Sequence, residues 1–106
     1  MKKLLWIAGC VALIASGPSL AANPAAGKEK SKTCAACHGP EGNSATPDFP
    51  RLSGQYYNYL VKTLADYKSG ERKNAIMAPM AASLSKADID DLAAYFSRQS
   101  GLVVKY

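Results

Sequence analysis

Five consecutive residues constrain this chain more than any other feature: Cys34-Ala35-Ala36-Cys37-His38. A C-x-x-C-H run is the attachment sequence for c-type haem. Two thiols spaced three apart on a helical turn both reach the vinyl groups of one porphyrin and form thioethers. The adjacent imidazole is then held under the iron as an axial ligand. His38 is the only histidine in the 106 residues, so no other imidazole competes for that role. Other chemistries fit less well. A zinc site needs four ligands and usually a second cysteine pair, and the one remaining cysteine, Cys10, lies in the N-terminal segment. A thioredoxin-like dithiol belongs in a βαβ context, and nothing here alternates strand and helix patterns. The motif predicts one haem c with its iron per chain, held by Cys34 and Cys37 and ligated by His38.

The N-terminus reads as a secretory signal peptide over residues 1–22. Met1-Lys2-Lys3 is a basic start, Leu4 to Ala15 is an apolar run, and Ser16-Gly17-Pro18 breaks it before the small residues Ser19-Leu20-Ala21-Ala22. The run is short for a membrane span. Ile7-Ala8-Gly9-Cys10 superficially resembles a lipoprotein box, but apolar residues continue beyond it, so Cys10 is read as part of the signal. Cleavage after Ala21 or Ala22 leaves one domain of about 84 residues, spanning 23–106. Export suits the motif, because covalent haem attachment takes place beyond the inner membrane; the expected location is the periplasm. A chain of this size is marginal on its own core. Haem is expected to supply missing apolar surface, and the chain without it to fold poorly. Both mature cysteines are taken by haem, which leaves none for a disulfide.

The formal charge of +5 falls when Lys2 and Lys3 leave, to 11 basic against 8 acidic residues and a net of +3. That is too mild to argue for nucleic acid and suits a small carrier that meets its partners by weak electrostatic steering.

The mature sequence reads as all-α. Asn23-Pro24-Ala25-Ala26-Gly27 opens a first helix that runs into the haem motif and closes there. Gly39 to Gly54 is rich in Gly, Pro, Asn and Ser, a loop of about 16 residues. Loops that long inside a small domain usually wrap something. Gln55 to Ser69 reads as a second helix stopped by Gly70, with Tyr56, Tyr59, Leu60, Leu64 and Tyr67 on one face. Those tyrosines are either core and rim packing or a haem wall. A polar turn from Glu71 leads to Ile76-Met77-Ala78-Pro79-Met80-Ala81. Ser85 then caps a third helix through Asp88, with Ile89, Leu92, Ala93 and Phe96 inward and Gly101 as its stop.

A haem held by one histidine is either open to small ligands or closed by a second ligand. With no second histidine the candidates are thioethers, and apart from Met1 only Met77 and Met80 exist, 39 and 42 residues after His38. A His/Met pair raises the reduction potential. One methionine is expected to be the ligand and the other core filler.

These residues carry a resemblance. Cys34 to Gly39, Glu41-Gly42-Asn43-Ser44, Phe49 to Gln55, Met77-Ala78-Pro79-Met80 and Leu84-Ser85 to Tyr95-Phe96 resemble bacterial class I cytochromes c, and more closely one half of the two-haem periplasmic cytochromes that feed terminal oxidases. The resemblance implies the small class I cytochrome c fold, about three main helices and loops wrapped around one haem. It implies that Met77 is the second axial ligand, with Met80 as runner-up. It further implies that Pro50 accepts a hydrogen bond from His38 through its carbonyl and that Leu52 lies beside the haem; a bond of that kind orients the imidazole and raises its basicity. The two-haem relatives continue into a second C-x-x-C-H domain, and this sequence has one such motif, so pairing of haems would require a homodimer or another partner.

The expected function is that of a one-electron carrier and not an enzyme. Its expected partners are redox proteins such as a quinol-linked complex or a terminal oxidase, with membrane contact made only through them. One alternative is a subunit through which electrons enter a membrane dehydrogenase or oxidase complex. The other is a haem enzyme or gas sensor, which needs an open sixth site.

Overall fold

A computed structural model describes residue 9 and residues 21–101. Most of the signal-peptide reading, Cys10 and the tail 102–106 lie outside the described residues. Among the described residues the chain is helical without strands: α1 (Pro24–Lys30), α2 (Lys32–His38), a single 3₁₀ turn (Pro40–Gly42), α3 (Tyr57–Ser69), α4 (Met77–Ala82) and α5 (Lys86–Ser97). No described helix is long and apolar enough to cross a membrane.

The expected first helix is broken in two at Ser31. Its hydroxyl donates to the Lys28 carbonyl at 2.7 Å, the local back-bonding by which serine bends a helix. At the start of α1, Asn23 Oδ1 accepts from the amides of Ala25 (3.0 Å) and Ala26 (3.2 Å), and Pro24 occupies the first turn, where a missing N–H costs nothing. Helix α3 starts two residues later than expected, at Tyr57, because the Gln55 side chain turns back to accept from the Tyr56 amide at 2.9 Å. Helix α5 ends at Ser97 and not just before Gly101. The Gln99 amide side chain takes the Tyr95 carbonyl at 2.9 Å and the Gly54 N–H takes that of Phe96 at 2.9 Å, so its last acceptors are satisfied early.

Helix α5 is the centre of the fold. The capping box forms as the sequence predicts: Ser85 Oγ accepts from the Asp88 amide at 3.1 Å, and Asp88 Oδ2 accepts from the Ser85 amide at 2.9 Å. Ile89, Leu92, Ala93 and Phe96 are all buried, together with Ala94 and Tyr95, so α5 is covered on more sides than one amphipathic stripe requires. Complete burial of Leu92 alone contributes about 2 kcal/mol. Leu60 of α3 joins this cluster, with Cys34, Leu52 and Leu64 packed against it.

Helix α1 crosses α5 at Gly27, where a Cβ would run into the Asp91 carbonyl and stand 2.8 Å from Tyr95 Cβ. The crossing is locked at its edges. Lys30 Nζ lies 2.6 Å from Asp91 Oδ2 and 2.8 Å from Asp88 Oδ1, and the Asn23 N–H donates to Asp91 Oδ1 at 2.8 Å. Paired with the Lys30 ammonium and bonded to Ser85, the Asp88 carboxyl is held down at about 2.

Candidate haem site

Helix α2 ends in the C-x-x-C-H run, which carries Cys34 half-buried, Cys37 exposed and His38 buried at 7% exposure. Burial pushes the Cys34 thiol up from its ordinary value. Gly39 stops the helix with φ 77°, a backbone conformation that glycine adopts without a steric penalty. From there the chain doubles back. The Gly42 carbonyl accepts from the amides of Leu52 (2.9 Å) and Ser53 (3.4 Å), closing the long loop on itself and bringing Phe49-Pro50 over the imidazole.

His38 Nδ1 lies 2.8 Å from the Pro50 carbonyl oxygen. A carbonyl only accepts, so Nδ1 carries the proton and Nε2 keeps its lone pair for a metal. The Phe49 ring stands edge-on to the imidazole, 6.4 Å between centroids. Ring orientation and tautomer are thus both determined by the loop.

Another wall of the same cavity comes from α4, a helix inside the segment that the sequence presents only as a connection. Asn74 builds it: Oδ1 accepts from the amides of Ile76 and Met77, each at 2.9 Å. This anchors the first turn and sets Met77 at the head of α4, half-buried, with Met80 one turn on and 39% exposed. Asn74 was missed although the rule that found Ser85, a short polar side chain just ahead of a helical run, applies to it equally. The third wall is α3, where Tyr59, Leu60, Thr63, Leu64 and Tyr67 share one face.

These walls enclose a cavity of about 480 Å³, within the roughly 300–1,000 Å³ typical of cofactor sites. Cys34, Cys37, His38, Pro50, Leu52, Met77 and Met80 all line it, so every site residue singled out from the sequence reaches one space. Tyr59 and Tyr67 line it as well, which decides for those two between core packing and cavity wall; Tyr56, expected on the same face, does not line it. The donor set suits a flat apolar group that reacts with thiols: two thiols, one imidazole and two soft thioethers line one cavity whose surface is mostly apolar.

The family model "Cytochrome c" matches residues 24–100. The chain is 46% identical over 82 residues to cytochrome c-554(548) of Halomonas halodenitrificans, covering 74% of this chain and 99% of that protein. It is 40% identical over 107 residues to a thiosulfate dehydrogenase electron acceptor of Stutzerimonas stutzeri, covering 89% of this chain and 47% of that one. Among solved structures, reduced recombinant cytochrome c4 from Pseudomonas stutzeri superposes with a TM-score of 0.74 at 44% identity, over 78% of this chain and 48% of that chain. The present sequence therefore matches one half of its cytochrome c4 relatives. It is a helical, electron-transferring chain with a covalently bound haem c, and it belongs to the cytochrome c family.

Proposed function

We propose that this protein is a periplasmic one-electron carrier whose haem is held by Cys34 and Cys37 and ligated by His38 and Met77. The observation that carries the reading is the 2.8 Å contact of His38 Nδ1 with the Pro50 carbonyl, which leaves Nε2 as the only ring nitrogen free to bind a metal. When bound, haem c supplies the ferrous–ferric couple. The chain's own residues set its terms. Pro50 holds one imidazole tautomer and makes it a better donor. Asn74 anchors Met77 on the cavity wall, and a thioether ligand favours the reduced state. Leu52, Leu60 and Leu64 keep water from the walls.

Residues 1–22 serve as the export signal in this reading. The partners are redox proteins met at the cavity mouth, a quinol-linked complex or a terminal oxidase among them, and a homodimer would pair two haems. A second reading has one specific observation in its favour: a relative covering 89% of this chain is named as the electron acceptor of thiosulfate dehydrogenase. In that reading the chain serves one dehydrogenase rather than several soluble partners.

Visible spectra of the oxidised and reduced holoprotein test the ligation. Met77→Ala is expected to abolish the methionine–iron charge-transfer band and to admit carbon monoxide readily to the reduced protein. Met80→Ala is expected to keep the band. The reverse pattern transfers the ligand role to Met80, and rapid carbon monoxide binding by the unmodified protein overturns the closed site.

A further inference from the structure

The cavity wall holds a cation that the carrier reading leaves without a role. Helix α3 ends at Gly70, whose φ of 87° turns the chain back so that the amides of Gly70 (3.0 Å) and Arg72 (3.1 Å) both reach the Asp66 carbonyl. This reversal returns Arg72 over the helix it has just left. Its guanidinium carbon stands 5.0 Å from the centre of the Tyr67 ring, and Nη1 donates to the Tyr59 hydroxyl at 3.4 Å. The aromatic face and the phenol restrict a side chain that would otherwise be free, and all three residues line the haem cavity.

What Arg72 lacks is an anion. Every ion pair among the described residues is made by a lysine: Lys30, Lys32, Lys62 or Lys86. Glu71 is its chain neighbour and does not pair with it. The other cations on the cavity wall are engaged elsewhere, Lys30 with Asp88 and Asp91, and Arg51 through Nε with the Ser44 carbonyl at 3.4 Å. A restrained, planar, permanently charged donor on the wall of a largely apolar cavity is built for a carboxylate, which guanidinium binds through paired N–H groups. Haem c carries two carboxylates, its propionates.

We propose that Arg72, steadied by Tyr67 and Tyr59, binds a haem propionate. This rests on the reading of the cavity as the haem site and adds a residue that nothing in the C-x-x-C-H or methionine motifs points to. A guanidinium that neutralises a propionate removes negative charge that would favour ferric iron, so loss of Arg72 stabilises the oxidised state.

The test uses purified holoprotein carrying Arg72→Gln, Arg72→Lys or Tyr59→Phe. Resonance Raman reports the propionate-bending mode, and redox titration at neutral pH reports the potential. Arg72→Gln is expected to shift the mode and lower the potential. Arg72→Lys is expected to recover most of the potential by restoring the charge. Tyr59→Phe, which leaves charge and stacking in place, is expected to move both in the same direction as Arg72→Gln and by less. An unchanged propionate mode in Arg72→Gln overturns the proposal. So does an unchanged mode accompanied by weaker, salt-sensitive association with an acidic redox protein, which would make Arg72 a docking charge facing a partner's carboxylate. The methionine–iron band reads the axial ligands separately, so failure of the carrier reading and failure of this one leave different records.

Discussion

Where α1 crosses α5, Gly27 lies directly on the backbone of Asp91, the flanking charges pair with one another, and nothing further is needed to complete the contact. Across the molecule the same short chain does the opposite. There α3, α4 and the long loop leave Tyr59, Ile76 and Met80 substantially exposed around a cavity, and the hydrophobic residues they bury are Leu60 of α3 and Ala81 of α4. The first region is a joint between protein surfaces. The second is a mould whose contacts are to be made with a cofactor. If haem fills that cavity as proposed, a small chain can put its limited apolar material into one true core, around α5, and delegate the rest to the cofactor.

The largest expected effect strikes the mould. A Cys34→Ala, Cys37→Ala variant should not retain haem through denaturation, and its thermal unfolding should lose the sharp transition of the holoprotein; a haem band that survives in denaturant would end the covalent assignment. Next in size is a change confined to the joint. Gly27→Ala puts a methyl against the Asp91 carbonyl, and overpacking against rigid backbone should cost on the order of 3 kcal/mol. Chemical denaturation of the holoprotein measures it, and the visible spectrum should stay as it was. A lost methionine band in that variant would mean that the two regions are mechanically one.

Ser85→Ala removes one half of the capping box at the head of α5 and should cost about 1 kcal/mol, read by the same denaturation. The smallest effect concerns pH. The Asp88 and Asp91 carboxyls are both held below their ordinary value, first of all by the Lys30 ammonium, and Lys30 is in turn held above its own by Asp88 and then Asp91. Depressed carboxyls contribute stability that is complete above their unfolded value and is lost as pH falls through the folded one; a raised lysine contributes stability that is lost as pH climbs past its folded value. The clasp is therefore at full strength between about pH 5 and pH 10 and weakens toward about pH 2. Thermal midpoints measured across that range should fall less steeply on the acid side in Lys30→Met than in the unmodified chain. Parallel curves would remove the clasp from the account.

The same division governs what could be read from the amino acids alone. Haem attachment and the Ser85 cap were legible because each is a local pattern in which a few adjacent side chains do the chemistry. The inward face of α5 was legible because its spacing matches a helix. Helix α4 was not, since Asn74 organises it through a side-chain bond to two amides, and its Ala- and Pro-containing run is too short for periodicity to speak. The bend at Ser31 and the early end of α5 depend on single hydroxyl and amide contacts that compete with the helix ladder. Tyr59 and Tyr67 were correctly placed on one face, but an apolar face looks the same in sequence whether protein or cofactor covers it. Arg72 was invisible altogether, because its position over Tyr67 follows from the turn at Gly70.

Helix α4 spans six residues, Met77–Ala82, far short of the length at which an isolated helix persists in water. Its register hangs on the Asn74 side chain, and Pro79, Met80 and Ala82 are exposed to solvent even though Pro79 and Met80 also line the cavity. A segment of this kind is expected to open at a lower free energy than the α1–α5 core. If Met77 binds iron, the rate at which cyanide or imidazole enters the oxidised protein then measures how often α4 opens. That clock would run independently of global stability, and Asn74 would be the residue that sets it.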